Sequence, residues 1–156
     1  ELLALTAGDF DFERGTVSIN KSYQRINKQD VITTPKTPKS IRVIQMPKFL
    51  CDEMQDYFKM FYSLDSDSRI FPISKNYLHR EMARGSKATG VKRIRIHDLR
   101  HSHVSLLIDM GFTALAIADR VGHESIDITF RYAHLFPTRQ IEMADKLDMM
   151  RSEKGA

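Results

Sequence analysis

Five of the six histidines fall between His97 and His134. They come with two other residue types that handle phosphate. The densest run is His97-Asp98-Leu99-Arg100-His101-Ser102-His103; Gly122-His123 and Arg131-Tyr132-Ala133-His134 follow. His97 and Arg100 stand three apart, so on a helix they project from one face. A helix that starts at His97 or Asp98 also offers free N–H groups to an anion. A proton carrier beside a fixed cation at such a helix start makes a phosphate pocket. Capping is an equal alternative, with Asp98 or His97 closing the helix and Arg100 on a solvated face. Tyr132 is open in the same way. A tyrosine near a helix end is commonly core or interface, and a phenol titrates near ~10. To act as a nucleophile it needs cations around its target or a nearby base, and this sequence supplies both.

Three competing chemistries fit less well. His97 and His101 stand at i, i+4 with Asp98 and His103 nearby, a spacing that can ligate zinc. His-Glu-x-x-His is absent, however, and no third ligand stands at a familiar distance, so no metal is expected. Gly85-Ser86-Lys87-Ala88-Thr89-Gly90-Val91-Lys92 has the outline of a phosphate-binding loop, but Val91 occupies the place of the required Lys. It reads as a basic loop, with Lys87, Lys92 and Arg93 available to a DNA backbone, and not as a nucleotide-hydrolysing site. Thr113–Val121 and Ser125–Tyr132, with Gly122 between them, also have a helix-turn-helix outline that would suit a non-catalytic DNA-binding module.

The elements that must position these groups belong to a globular chain. Its 156 residues suit one domain, and with 42% apolar and 28% charged residues it is neither disordered throughout nor fibrous. No run approaches the ~20 apolar residues of a membrane helix, and no secretory leader opens the chain. The lone Cys51 rules out an internal disulfide and a cysteine-based zinc site, which favours a reducing compartment. A net charge of +4 points mildly to a polyanionic partner. Glu1-Leu2-Leu3-Ala4-Leu5 is helical in pattern, with neither a start Met nor an N-cap, and is expected to be the interior of a longer protein.

Those first leucines are expected to be the last turns of a helix ending near Gly8. Thr16–Ile19, Lys21–Ile26, Val31–Thr34 and Ser40–Ile44 read as strands of one small antiparallel sheet. Pro35-Lys36-Thr37-Pro38-Lys39 forms a stiff basic hairpin loop, because proline cannot donate to a ladder. Pro47 suits a helix start, and Leu50, Met54, Tyr57 or Phe58, and Phe61 give that helix an apolar face. Ser74 caps a helix to about Arg84, broken by Gly85 to Gly90. The His97/Asp98 helix ends at Gly111, with Leu99, Leu106 and Met110 as its core stripe. Thr113 caps a short helix stopped by Gly122, Ser125 caps one carrying Tyr132, and Thr138 opens a last amphipathic helix with Ile141, Ala144, Leu147 and Met150 on one side. The fold class is mostly α with a small antiparallel sheet (α+β).

Taken in order, Ile96-His97-Asp98-Leu99-Arg100-His101-Ser102, Val121-Gly122-His123 and Thr129-Phe130-Arg131-Tyr132-Ala133-His134 resemble the catalytic boxes of the tyrosine recombinases, the phage-integrase family. Glu1–Leu5 resembles the segment that follows this family's first catalytic Arg, and Lys36 falls where the family places its β-hairpin Lys. The resemblance implies that Tyr132 attacks a DNA phosphate to form a 3′-phosphotyrosine and frees a 5′-hydroxyl. It implies that Arg100 neutralises the non-bridging oxygens, His97 handles the proton on the nucleophile side, and His123 hydrogen-bonds the phosphate. Lys36, with Lys39 as the alternative, would protonate the leaving oxygen. Glu1 would brace the cations, His134 and His101 would support the site, His103 would face away, and Arg131 would touch DNA with Lys87, Lys92 and Arg93. Neither metal, cofactor nor ATP would be needed. Such chemistry asks mainly for positioning and charge stabilisation, and Arg contacts phosphate in a bidentate way that Lys cannot.

On this resemblance residues 1–156 are a catalytic domain, with a helix end plus sheet over about 1–46 and a helical part over about 47–156. The first catalytic Arg would lie upstream of Glu1. The fragment alone would then be nearly inactive, since removing one such donor costs about 10²–10³ in rate. The implied partners are double-stranded DNA and further copies of the chain, as a tetramer on paired sites, with accessory DNA-bending or directionality proteins and no membrane. The implied setting is the bacterial cytoplasm or nucleoid, and the implied host is a phage or other mobile element. A type IB topoisomerase is the nearest enzymatic alternative. The last helix would dock on a neighbouring protomer or on its own domain.

Overall fold

The computed structural model describes residues 1–135 and 140–154. It is mostly helical with small antiparallel sheets. Two 3-10 turns, Leu2–Ala4 and Ala7–Asp9, stand where a helix end was expected. Gly8 ends no helix: its N–H donates to the Ser66 carbonyl at 2.8 Å, and a Cβ there would lie 3.1 Å from that oxygen. The second turn is closed by the buried Asp9 carboxylate, which accepts from the Thr6 N–H at 2.8 Å and from the Thr6 hydroxyl at 3.0 Å. Lys21 pairs with the same carboxylate at 2.8 Å, so the buried charge is compensated.

The strands form two sheets, not one. β1 (Phe10–Asp11), β2 (Thr16–Ile19) and β5 (Arg42–Gln45) make an antiparallel sheet in the order β1-β2-β5. β3 (Ser22–Ile26) and β4 (Gln29–Thr33) make a separate hairpin. Asn27 and Lys28 both take left-handed backbone (φ 50° and 65°), which matches the twist of a two-residue hairpin turn and pairs β3 with β4 locally. β5 then crosses back to β2, with Val17 opposite Ile44. The Pro35–Lys39 segment is therefore a crossing connection between sheets, not a hairpin tip. It ends in a 3-10 turn, Pro38–Ser40.

α1 (Lys48–Lys59) begins after Pro47, which occupies the N-cap. Its Leu50, Met54, Tyr57 and Phe58 cover a core of Leu5, Val17, Ile19, Met46 and Ile70. α2 (Lys75–Thr89) is capped by the Ser74 hydroxyl, which accepts from the Tyr77 N–H. It runs straight through Gly85 and stops at Gly90, in left-handed backbone (φ 71°). One helical glycine costs about 1 kcal/mol against alanine, too little to break a helix.

α3 (Asp98–Asp109) and α4 (Ala114–Val121) bury a second core of Val104, Ile108, Ile117 and Val121, flanked by Leu107 and Tyr132. The stripe expected to be core is the wrong one: Leu99, Leu106 and Met110 are exposed. Val104 and Ile108, one helical turn apart, point the opposite way and face α4. α5 (Ile126–Phe130) is capped by Ser125, and Tyr132 lies just beyond it, before a 3-10 turn at Ala133–Leu135. α6 (Gln140–Lys154) follows, and its Ala144, Leu147 and Met150 are exposed. The expected helix start at Thr138 and the side chain of Ile141 lie outside the described residues. Among the described residues no helix is long and apolar enough to cross a membrane.

Candidate active site

The half of α3 that packs toward α4 also carries His97, Arg100 and His101, so core packing aims the polar groups. At the helix start Asp98 folds back on the Arg95 N–H at 2.9 Å and on the Arg95 guanidinium at 2.8 Å. These bonds hold the Asp98 carboxyl below its usual range. Neither His97 nor Asp98 caps α3 through its side chain: His97 occupies the N-cap without such a bond, and the Asp98 carboxylate is taken by Arg95.

Arg100 reaches across to α4 and donates through Nη2 to the Val121 carbonyl. Half-buried, it is shifted down by desolvation, and Glu1 opposes that shift; it stays a cation. α4 ends at Gly122 in left-handed backbone (φ 69°), which turns the chain so that the His123 N–H donates to the Ala118 carbonyl at 2.9 Å. The buried His123 ring shares a hydrogen bond with the Thr129 hydroxyl, Nδ1 to Oγ1 at 2.9 Å. Burial, then the charges of Arg100, Arg131, Arg42 and His101, push its imidazole below its ordinary value, toward the neutral form.

Thr129 also fixes Tyr132. Its carbonyl accepts the Tyr132 N–H at 3.0 Å, and the tyrosine ring leans on the second core. The phenol hydroxyl is hydrogen-bonded to Nδ1 of His101. The His97 ring packs against the His101 ring, with centroids 5.1 Å apart and nearly perpendicular. His97 itself is exposed.

A second layer comes from the sheet. Arg42, on β5, binds both Glu1 carboxylate oxygens (3.2 and 3.0 Å), the Ser40 carbonyl (2.8 Å) and the Arg120 carbonyl (3.1 Å). Burial raises the Glu1 carboxyl, but the bond and charge of Arg42, helped by Arg100, outweigh it and hold the group below its usual value. Arg120 donates to His103 at 3.2 Å and to the Gln45 carbonyl at 3.1 Å, tying α4 to α3 and to β5. His103 is accordingly directed at Arg120.

The structure thus gathers Arg100, His123, Tyr132, His97, His101 and Glu1 in one cradle. Lys39 lines the adjoining cleft with Arg42, Gly122 and His123. Lys36 is exposed three residues earlier on the crossing segment, and Arg131 and His134 are exposed on either side of Tyr132. Lys87 is exposed on the last turn of α2. Lys92 and Arg93 line a separate cleft with His79, Met82 and Arg95. Among the described residues no three His, Cys, Asp or Glu side chains are grouped to hold a metal ion. Sequence reasoning missed Arg42 and Thr129 and gave His101 only a supporting place. The sequence carried no signal for either: Arg42 comes opposite the buried Ile19 only once β5 has paired with β2.

The model of the phage integrase family matches residues 1–139. The ICEBs1 integrase of Bacillus subtilis is 37% identical over 95% of this chain, which spans 44% of that protein. The tyrosine recombinase XerC of Corynebacterium glutamicum is 26% identical over 94% of the chain and 45% of its own length. The chain thus spans less than half the length of these curated relatives. Among solved structures, the Tn1549 transposon integrase in complex with circular intermediate DNA aligns with a TM-score of 0.69 at 19% identity, over 96% of this chain and 54% of that one. The XerA recombinase aligns at 0.64 and 21% identity, over 94% and 51%. At these identities the structural likeness speaks for the fold.

Proposed function

Because the chain belongs to the phage integrase family, we propose that it is the catalytic domain of a tyrosine-type, site-specific DNA recombinase that cuts and rejoins DNA through a 3′-phosphotyrosine. The observation that carries this reading is the docked phenol: Tyr132 is held by an imidazole in a cradle that also contains Arg100 and His123. A phosphodiester in that cradle would meet a guanidinium for its non-bridging oxygens and a neutral imidazole as hydrogen-bond partner. Little else is required, since positioning and charge stabilisation dominate phosphoryl transfer.

In this reading Tyr132 is the nucleophile, Arg100 and His123 hold the phosphate, and His97 assists at the mouth of the site. Glu1 braces the cations through Arg42. A lysine of the crossing segment, Lys36 or Lys39, gives the leaving 5′-oxygen its proton, and the position of Lys39 beside Gly122 and His123 makes it a serious candidate for the role. Lys87, Lys92, Arg93 and Arg131 add sequence-independent attraction to the DNA backbone. The natural setting is a mobile element acting in a bacterial cytoplasm, with several copies assembled on paired sites.

The test is covalent capture. The full-length protein, mixed with a nicked duplex in EDTA, is expected to form a denaturant-resistant protein–DNA adduct. Tyr132→Phe is expected to bind the duplex with unchanged salt dependence and to form none. Absence of an adduct from the unaltered protein, or an adduct that forms only when EDTA is replaced by a divalent metal, overturns the reading.

A further inference from the structure

We propose that Arg120 and His103 are a positioning pair for this site, holding the end of α4, and with it His123, against β5; this rests on the recombinase reading above and deepens it. The anchor is a pair of bonds running in opposite senses. From β5, Nε of Arg42 donates to the Arg120 carbonyl at 3.1 Å. From α4, Nη1 of Arg120 donates to the Gln45 carbonyl at 3.1 Å. β5 is an end strand of its sheet, so the two bonds join a sheet edge to the last turn of α4. Just beyond them the fit is close: a Cβ on Gly122 would lie 3.0 Å from both the Lys39 carbonyl and the Arg42 guanidinium. His123 comes next, and its N–H is bonded back to Ala118 within α4 at 2.9 Å, so its backbone moves with the helix end. One wall of the adjoining cleft is Lys39 and Arg42, and the other is Gly122 and His123. The width of that cleft is therefore set by the two bonds.

His103 aims the arginine. A guanidinium held by one nitrogen can swing, but Nε of Arg120 also donates to Nε2 of His103 at 3.2 Å. Both side chains are half-buried. Only a neutral imidazole, with its hydrogen on Nδ1, has an acceptor at Nε2. A protonated His103 would set a second cation against Arg120 in place of that bond. Arg120 on α4 is the charged group that acts on the ring; β5 brings the neutral Gln45 carbonyl to the same guanidinium, and on α3 Arg100 stands one turn earlier, directed at the Val121 carbonyl. Burial first, and then Arg120, push the imidazole below its ordinary value. The accepting form thus prevails at neutral pH, and the anchor loosens as pH falls through that lowered value. Neither residue touches DNA or a reacting atom here; the pair acts through the placement of His123.

Single-turnover adduct formation by the full-length protein on a nicked duplex, followed from about pH 7.5 to about pH 5.5, tests this. A misplacement of about 1 Å can cost about 10²-fold in rate, so Arg120→Ala is expected to slow capture by about 10- to 10²-fold at neutral pH, with DNA binding within a few fold. His103→Leu, which removes the acceptor, is expected to be slow at every pH. His103→Gln keeps an acceptor for the Arg120 N–H at every pH and is expected to be faster than His103→Leu throughout. The rate of His103→Gln divided by that of the unaltered protein should rise at least about threefold toward the acid end. His123 titrates in both proteins, so it cancels from this ratio. A flat ratio, equal rates for His103→Gln and His103→Leu, or capture by Arg120→Ala at the unaltered rate overturns the proposal. If Arg120→Ala or His103→Leu fails to fold, the His103→Gln ratio decides. Failure of the unaltered protein to form any adduct strikes the recombinase reading instead.

Discussion

Arg100 shows how much of a site one side chain can set. By bonding the Val121 carbonyl through Nη2 it ties its guanidinium to the end of α4, and only one of its five donors is used in that bond. Lysine has neither plane nor fork. Arg100→Lys is expected to lower the rate of adduct formation by about 10²–10³ while leaving equilibrium DNA binding within a few fold; single-turnover kinetics beside a mobility-shift titration check this. The imidazoles make a second prediction. His103 and His123 are both shifted below the ordinary value of 6.5, chiefly by burial. The folded chain therefore resists a proton that the unfolded chain accepts near 6.5, so this stability is full above that pH and is lost as pH falls below it through the lower folded-state values. The denaturation midpoint should drop between about pH 7.5 and about pH 5.5, and His103→Gln should reduce that drop. Arg100, His123 and Tyr132 were legible in the sequence because their types and order are chemical in themselves. Arg42 was not, because its partner Glu1 stands 41 residues away and only folding brings them together.

At the scale of elements, local rules were readable where the cause is local. Ser74, Thr113 and Ser125 each cap the expected helix through a side-chain oxygen, and Gly122 ends α4 as expected. The errors lie where tertiary contact decides. The faces of α3 were exchanged, since periodicity alone cannot tell which apolar stripe finds α4. One sheet was expected in place of two, since nothing in β5 names β2 as its partner. Two glycines then predict opposite signs. Gly85 lies inside α2, and a Cβ added there would meet nothing within 4 Å, so Gly85→Ala should stabilise by up to about 1 kcal/mol. A Cβ on Gly122 would lie 3.0 Å from both the Lys39 carbonyl and the Arg42 guanidinium, in a backbone that already costs alanine about 1–2 kcal/mol. Gly122→Ala should therefore destabilise by more than that figure and slow capture as well. Denaturant titrations of both variants measure the contrast.

Over the whole molecule two apolar cores lie side by side, one under the sheet and α1, the other between α3 and α4. Polar bonds stitch them: Arg42 to Glu1 and to the Arg120 carbonyl, and Arg120 to Gln45 and His103. The candidate site sits on that seam. Sequence alone divided the chain near residue 46 but could not place the cradle at the junction, because a seam is a product of packing. Thr129, fully buried, has one more effect. Its hydroxyl grips the imidazole of His123 while its carbonyl grips the amide of Tyr132, so the two travel as a single piece. Lending the phenol to another subunit would mean surrendering that grip. Each copy is thus expected to cut only the strand it holds: a mixture of Tyr132→Phe and Arg100→Ala proteins, each inert alone, should stay inert together on a nicked duplex, whereas restored capture would reveal an exchange of nucleophiles between neighbours.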